Sequence, residues 1–470
     1  MLALALASVL VFSLAACSVR MDPDFLFDEP AEPTEAPEPT PGSIELTEGP
    51  DESAEPDQQL STLQPAHDTQ QPEPTYEPAG SVFRDADFER AFMEAYGAGG
   101  PVTEAGLASM TELSLTDCGL TNIADAAMFT GLKKLDLSGN PITDASPVAA
   151  ASGLEELDVS GTLIDNVLFL KQLTGLRSLE LESVELEDIT PVGELASLER
   201  LYLDDAKIGD ISPVAGLTGL KTLSLSGLKF DPALLSGLTE LTSLNLDRTD
   251  IADLAPVAAC VNLRELTVSR TPVKDISPIS GLGKLEYLSL YGTEVEDISP
   301  ITGLDALRTL DLYQCRLIED FSPIGELTGL TAVDLGETGV KDISFLAGHL
   351  GLEFADLYGN GITDISPLEG HSALKALWLG NNSVEDIGVL AGMPELTELQ
   401  LSGNLISDVA PIAGLNKLQM LVLDRNLIED VTAIEGLTEL TQVSLCENPI
   451  SDEAIEELRG CLGEDAELYF

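Results

Sequence analysis

The sequence predicts an α/β repeat solenoid, a right-handed horseshoe with short parallel strands on its concave face. Three observations carry that reading. A Leu-x-Leu pair recurs with a 22-residue period for more than 300 residues. An Asp-Ile-Ser-Pro motif punctuates most of those units, as at Asp275-Ile276-Ser277-Pro278. The chain is 44% hydrophobic despite a net charge of −58, so a large apolar interior must be buried beneath a strongly acidic surface. That charge argues against nucleic acid as a partner, because phosphate contacts need Lys and Arg. With three histidines in 470 residues, the usual proton shuttle near neutral pH is nearly missing.

Residues 1–20 open the chain with an almost unbroken apolar run ending Leu14-Ala15-Ala16-Cys17. This resembles the lipobox of bacterial lipoproteins, although no Lys or Arg precedes Cys17. The resemblance implies lipidation at Cys17 and a membrane-anchored, exported, outward-facing protein. Residues 21–80 hold 12 Pro and 16 Asp plus Glu with no Lys or Arg. Such a segment buries too little apolar surface to offset its ordering entropy, so it is expected to be a disordered tether. Its reach runs from roughly 45 Å as a coil to about 190 Å extended.

A helical N-terminal cap is expected over 81–112. Within it, Phe88, Ala91, Phe92 and Ala95 recur at helical spacing to cover the first turn. The repeats occupy 113–449. Aligning each Leu-x-Leu core gives sixteen starts from Leu113 to Val443, with one step of 21 residues (223 to 244) and one of 23 (310 to 333). Each core is a short strand with its leucines inward, and stacked turns share the interior that no single turn can close. A cap over 450–470 contains a closing helix, Ile450 to Leu462.

Three residues past the second Leu lies a column suited to Asn, whose amide can bond adjoining turns. Asn fills it at 140, 360, 382, 404, 426 and 448, Thr at 162, 249, 271, 293 and 338, and Cys at 118 and 315. Val184, Ala206 and Leu228 cannot make the bond, which predicts a softer stretch near 184–249. Four residues further comes an acid in most turns, from Asp144 through Asp275 to Asp452, with Asn122 and Asn166 substituting in two. The expected role is a local Asx-turn, followed by Ser as helix cap and Pro at the first helical position. Calcium needs six to eight converging oxygens, and one acid per turn does not supply them.

A 22-residue period lies within the 20–29 range of leucine-rich repeats. The unit with Asn-x-Ile-x-Asp-Ile-x-Pro-Leu resembles the internalin-type repeats of bacterial surface proteins across about 81–470. In that family the concave strand face commonly binds a protein ligand. No immunoglobulin-like module or wall-sorting motif accompanies the repeats here, so host-cell invasion does not carry over.

Outward positions on the strands hold an uneven set of aromatics: Tyr202 early, then Tyr287, Tyr291, Tyr313, Phe354, Tyr358 and Trp378, the single tryptophan. Acids such as Asp136, Asp158, Glu180, Asp311, Asp334 and Asp356 share the face. Aromatics ringed by polar residues match interface hot spots, and the acids favour a partner with basic residues. The expected function is therefore non-enzymatic binding of a protein or peptide. The alternative is an envelope spacer or self-associating surface. His349 and His371, 22 residues apart, are expected to be a partly exposed convex stack rather than a metal site. The cysteines after Cys17 read as small core residues, with no bridge between Cys446 and Cys461. Neither cofactor nor metal is expected, and no catalytic set stands out.

Overall fold

The computed structural model describes residues 81–97, 102–462 and 466–470. The expected lipidation site Cys17 and the tether 21–80 lie outside the described residues. From Ser81 onward the described chain forms one compact unit. Its spine is a sheet of 17 strands in which each pairs in parallel with the strand of the next turn. Strands are three residues long, from Glu112–Ser114 to Gln442–Ser444, and 3₁₀ turns such as Ser277–Gly281 connect many of them. The leucines of each core stack on those of the next, as Leu135 on Leu157 and Leu266 on Leu288. They are essentially inaccessible, and each buried Leu contributes about 1.5–3 kcal/mol relative to exposure. The two irregular steps leave this register intact: Leu223 pairs with Leu244 and Leu310 with Val333. The missing and extra residues are absorbed in the connections.

The seventeenth strand, Glu467–Tyr469, lies parallel to Gln442–Ser444, with Leu468 opposite Val443. It follows the closing helix Asp452–Cys461. Leu468-Tyr469-Phe470 repeats the apolar-x-apolar core, but at 25 residues from Val443 it falls outside the regular period.

At the other end, the helix Ala86–Tyr96 seals the first turn. Asp85 caps it by accepting from the backbone N–H of Asp87 and Phe88. Phe83 packs on Phe88 and Phe92, and both of these also pack on Phe129, with ring centroids 5.1–6.0 Å apart. Ala95, expected on the buried face, is exposed. It stands beyond the reach of the first turn, and Tyr96 instead sends its hydroxyl to accept from the backbone N–H of Ser114 at 2.8 Å.

The Asn column works as the sequence implies. Asn404 Nδ2 donates to Leu379 O of the previous turn at 2.9 Å and to Leu401 O of its own at 3.0 Å, while its Oδ1 accepts from Val384 N at 2.9 Å. Thr at the same site bonds within its own turn, as Thr249 Oγ1 to Leu246 O at 2.6 Å. Where Val184 and Ala206 occupy the column, Glu185–Leu186 and Lys207–Ile208 pair as a small second sheet. Backbone bonding there replaces part of what the side chains lack.

The Asx-turn also holds. Asp275 Oδ1 accepts from Ser277 N at 2.8 Å, and Asp144, Asp297 and Asp364 repeat the bond. Those bonds lower the carboxyl pKa of Asp144 and Asp275. Two details differ from expectation. The serine is not the side-chain cap: it opens the 3₁₀ turn, and the aspartate's carboxylate holds its N–H. Asp452 makes no such turn, because it is the first residue of the closing helix, capped by Ser451 Oγ.

His349 and His371 are fully buried, which corrects the expected exposed stack. They take the inward place that Leu327 fills one turn earlier. Their Nε2 atoms face Ile324 O and Leu346 O, each at 3.1 Å. The cysteines vary more than expected. Cys260 and Cys315 are buried and free, Cys118 is half-buried, and Cys461 is exposed and free.

Candidate binding face

All seven aromatic positions singled out from the sequence lie on or beside the long sheet's strands, and all are half-buried. The structure brings several of them together. Tyr291 and Tyr313 meet edge-on, with centroids 5.3 Å apart and planes at 70°. Phe354 and Trp378 do the same at 5.2 Å and 80°. Edge-to-face pairs of this kind add roughly 0.5–1.5 kcal/mol beyond their area. Tyr287 opens the strand Tyr287–Ser289, one turn before Thr309–Asp311. Tyr202 stands apart at the end of Arg200–Tyr202, in register with Glu180 rather than with another ring.

Neighbouring turns fix the ring orientations. Tyr313 Oη donates to Glu337 at 3.2 Å. Asn381 Nδ2 donates to Tyr358 Oη at 2.5 Å. Arg270 donates to Tyr291 Oη at 2.7 Å, with its guanidinium carbon 5.0 Å from the ring centroid. The Tyr313 ring lies so close over Gly336 that a Cβ there would come within 2.6 Å of it.

Arg270, Glu337 and Asn381 were not picked out from the sequence. They share the position directly after the last outward strand residue, where the backbone turns left-handed in every repeat. Gly139, Gly292 and Gly403 hold it with φ of 64–68°, whereas Arg270, Glu337 and Asn381 adopt φ of 52–55°. A side chain in that conformation costs about 1–2 kcal/mol. The signal available in the sequence was a polar side chain in this column one turn away from a tyrosine.

Beneath the rings runs a row of carboxylates. Asp311, Asp334 and Asp356 are register neighbours on three consecutive strands, about 4.8 Å apart from rung to rung. Each ties one oxygen to its own turn: Asp311 Oδ1 to Tyr313 N at 2.9 Å, Asp334 Oδ1 to Gly336 N at 2.9 Å, Asp356 Oδ1 to Tyr358 N at 2.8 Å. Asp311 Oδ2 also accepts from Ser289 Oγ at 2.7 Å. Burial raises all three carboxyl pKa values, that of Asp356 to about 7, with like charge from neighbouring acids adding to it. Burial likewise pushes the Tyr287 and Tyr313 hydroxyls up. Towards the N-terminal end, Asp136, Asp158 and Glu180 form a similar row, with Glu180 raised to about 7 by burial and by Asp158. Among the described residues no group of three or more His, Cys, Asp or Glu side chains converges to hold a metal.

Sequence models for leucine-rich repeats match this chain in three places: a single-repeat model over 131–151 and a two-copy model over 283–326 and 394–436. Together with the parallel sheet, they decide the fold. It is the leucine-rich-repeat fold. No curated protein sequence matches the chain. Among solved structures, it is similar to a leucine-rich-repeat protein of Leptospira interrogans, at 25% identity and a TM-score of 0.68 over 78% of this chain and 97% of that one. It also resembles the functional domain of the internalin InlJ of Listeria monocytogenes, at 20% identity and a TM-score of 0.58 over 77% and 79%. The ectodomain of an Arabidopsis thaliana receptor kinase, solved in complex with Casparian strip integrity factor 2, aligns at 22% identity and a TM-score of 0.59 over 76% and 49%. Leucine-rich repeats generally serve as protein-interaction scaffolds.

Proposed function

We propose that this protein is an exported binding protein, anchored through Cys17 and extended on the 21–80 tether, whose concave face captures a protein or peptide through Tyr287, Tyr291, Tyr313, Phe354, Tyr358 and Trp378. Tyr202 marks a lesser contact nearer the N-terminal end. The observation that carries this reading is the preorganised aromatic patch. Tyr291 with Tyr313 and Phe354 with Trp378 are paired, and Tyr291, Tyr313 and Tyr358 are held by hydrogen bonds from left-handed positions, yet the rings remain half-open to solvent on a face that needs no aromatics for its own core. An envelope spacer has no use for such an arrangement.

A photo-cross-linking residue at position 358 on intact cells tests it, with a matching residue at the exposed position 326 as control. The expected result is a discrete adduct from 358 that is missing from 326. Equal adducts from both positions contradict the proposal. The anchor is tested separately by lipid labelling, where the label is expected to vanish in Cys17→Ala. Persistence of the label in that variant removes the lipoprotein reading.

A further inference from the structure

We propose that the ligand seats an arginine or lysine side chain over the Asp311, Asp334 and Asp356 row, beside a main-chain amide that bonds Trp378 and Gln400. This rests on the concave-face reading above and specifies the chemistry of what binds there.

Two independent features point to it. The first is a row of acids without a cationic partner, which a bound cation would hold ionised. The salt bridges of the described chain join cations to acids on other columns, such as Arg177 with Glu199, Lys221 with Glu199 and Lys375 with Glu353. Among the described residues they leave Asp311, Asp334 and Asp356 without a cationic partner. Asp334 Oδ2 and Asp356 Oδ2 accept no hydrogen bond within the described chain, while each carboxylate's other oxygen is fixed by the backbone. Tyr313 and Tyr358 follow two residues after Asp311 and Asp356, so aromatic faces flank the acids. A planar guanidinium takes carboxylate and ring face together.

The second feature is polar atoms awaiting a partner. Trp378 Nε1 and Gln400 Oε1 are buried and lack any hydrogen-bond partner among the described residues. Trp378 is in register with both Asp356 and Gln400, so the pair begins one rung from the acid row. One atom needs an acceptor and the other a donor. A peptide main chain presents both within a single residue. A small inorganic cation can meet Gln400 Oε1 but not the Trp378 N–H, which needs an acceptor, so the occupant is a peptide segment with a cationic side chain.

Tetra-arginine and tetra-citrulline peptides are the probes, because citrulline keeps the shape and removes the charge. Trp378, as the single tryptophan, reports binding by its fluorescence. In 150 mM salt, tetra-arginine is expected to bind saturably and tetra-citrulline at least roughly tenfold more weakly. The Asp311→Asn/Asp334→Asn/Asp356→Asn variant is expected to lose at least roughly tenfold, while Glu296→Gln/Glu319→Gln/Glu429→Gln, which replaces the same number of carboxylates in exposed turns, loses less than about twofold. Equal losses in both triple variants would mean that only the overall acidic field attracts the probe, and would overturn the proposal. So would equal binding of the two peptides, a comparison made on the unaltered protein and therefore independent of how any variant folds. If the aromatic patch binds the native ligand while the aspartate variant does so undiminished, the cation subsite fails and the concave-face reading stands.

Discussion

Asn381 shows how single residues here trade backbone strain for ligand-face geometry. Its φ of 53° is glycine territory, and its amide holds the Tyr358 hydroxyl. Asn381→Gly relieves the strain, so thermal stability is expected to hold or rise slightly, while ligand affinity falls because Tyr358 loses its anchor. A drop in both would mean that the asparagine serves the fold alone. The buried carboxylates behave differently from the turn-forming ones. Asp356 has a folded pKa of about 7 against an ordinary value of 3.8, so the fold prefers it protonated. Its stabilising contribution is complete below about pH 4 and is lost as pH rises through about 7. Aspartates such as Asp275 are lowered by their bonds to Ser277, and theirs is present above the ordinary pKa and lost on acidification. Stability is therefore expected to decline from about pH 4 to about pH 7, and Asp356→Asn, which keeps an oxygen for Tyr358 N, to flatten that decline. Denaturant midpoints across that range check it, and an unchanged slope in the variant would contradict it.

At the scale of the turn, cross-bracing is uneven. Asn residues bridge successive turns from Asn360 to Asn448, whereas between Thr162 and Thr338 the column holds Thr, Val, Ala, Leu and Cys. Amide exchange is expected to be faster over 184–249 than over 355–450, moderated where Glu185–Leu186 pairs with Lys207–Ile208. Uniform protection along the array would remove the soft stretch. The turns themselves were legible in the sequence because each rests on a short-range rule: alternation buries the leucines, and an Asx bond needs only the residue two positions on. Glu467–Tyr469 was not legible, because its 25-residue offset breaks the period that revealed the others. The burial of His349 and His371 escaped too. Polarity argued for exposure, but backbone carbonyls left inside the turn accept their ring N–H groups. The aromatic columns could be read from spacing alone. Which rings touch could not, because that depends on side-chain direction and on partners such as Glu337 and Arg270.

Over the whole molecule, the charge of −58 divides between the acidic segment 21–80 and the repeats. From residue 81 onward there are 65 acids against 22 Lys plus Arg. Part of this is structural, since the Asx-turn aspartates recur in nearly every unit, and the rest repels itself across a long surface. The melting temperature is therefore expected to rise between about 50 mM and 500 mM NaCl as screening shortens from about 14 Å to about 4 Å. No change would mean that the ion pairs along the array already neutralise the field. The central claim is that this charged scaffold presents one aromatic patch to a ligand. The direct measurement is the affinity of the ligand captured at position 358 for the intact protein and for the Tyr287→Ala/Tyr313→Ala/Tyr358→Ala/Trp378→Ala variant. Loss of at least roughly a hundredfold with the repeat fold retained is the predicted result, and undiminished affinity in that variant would contradict the claim.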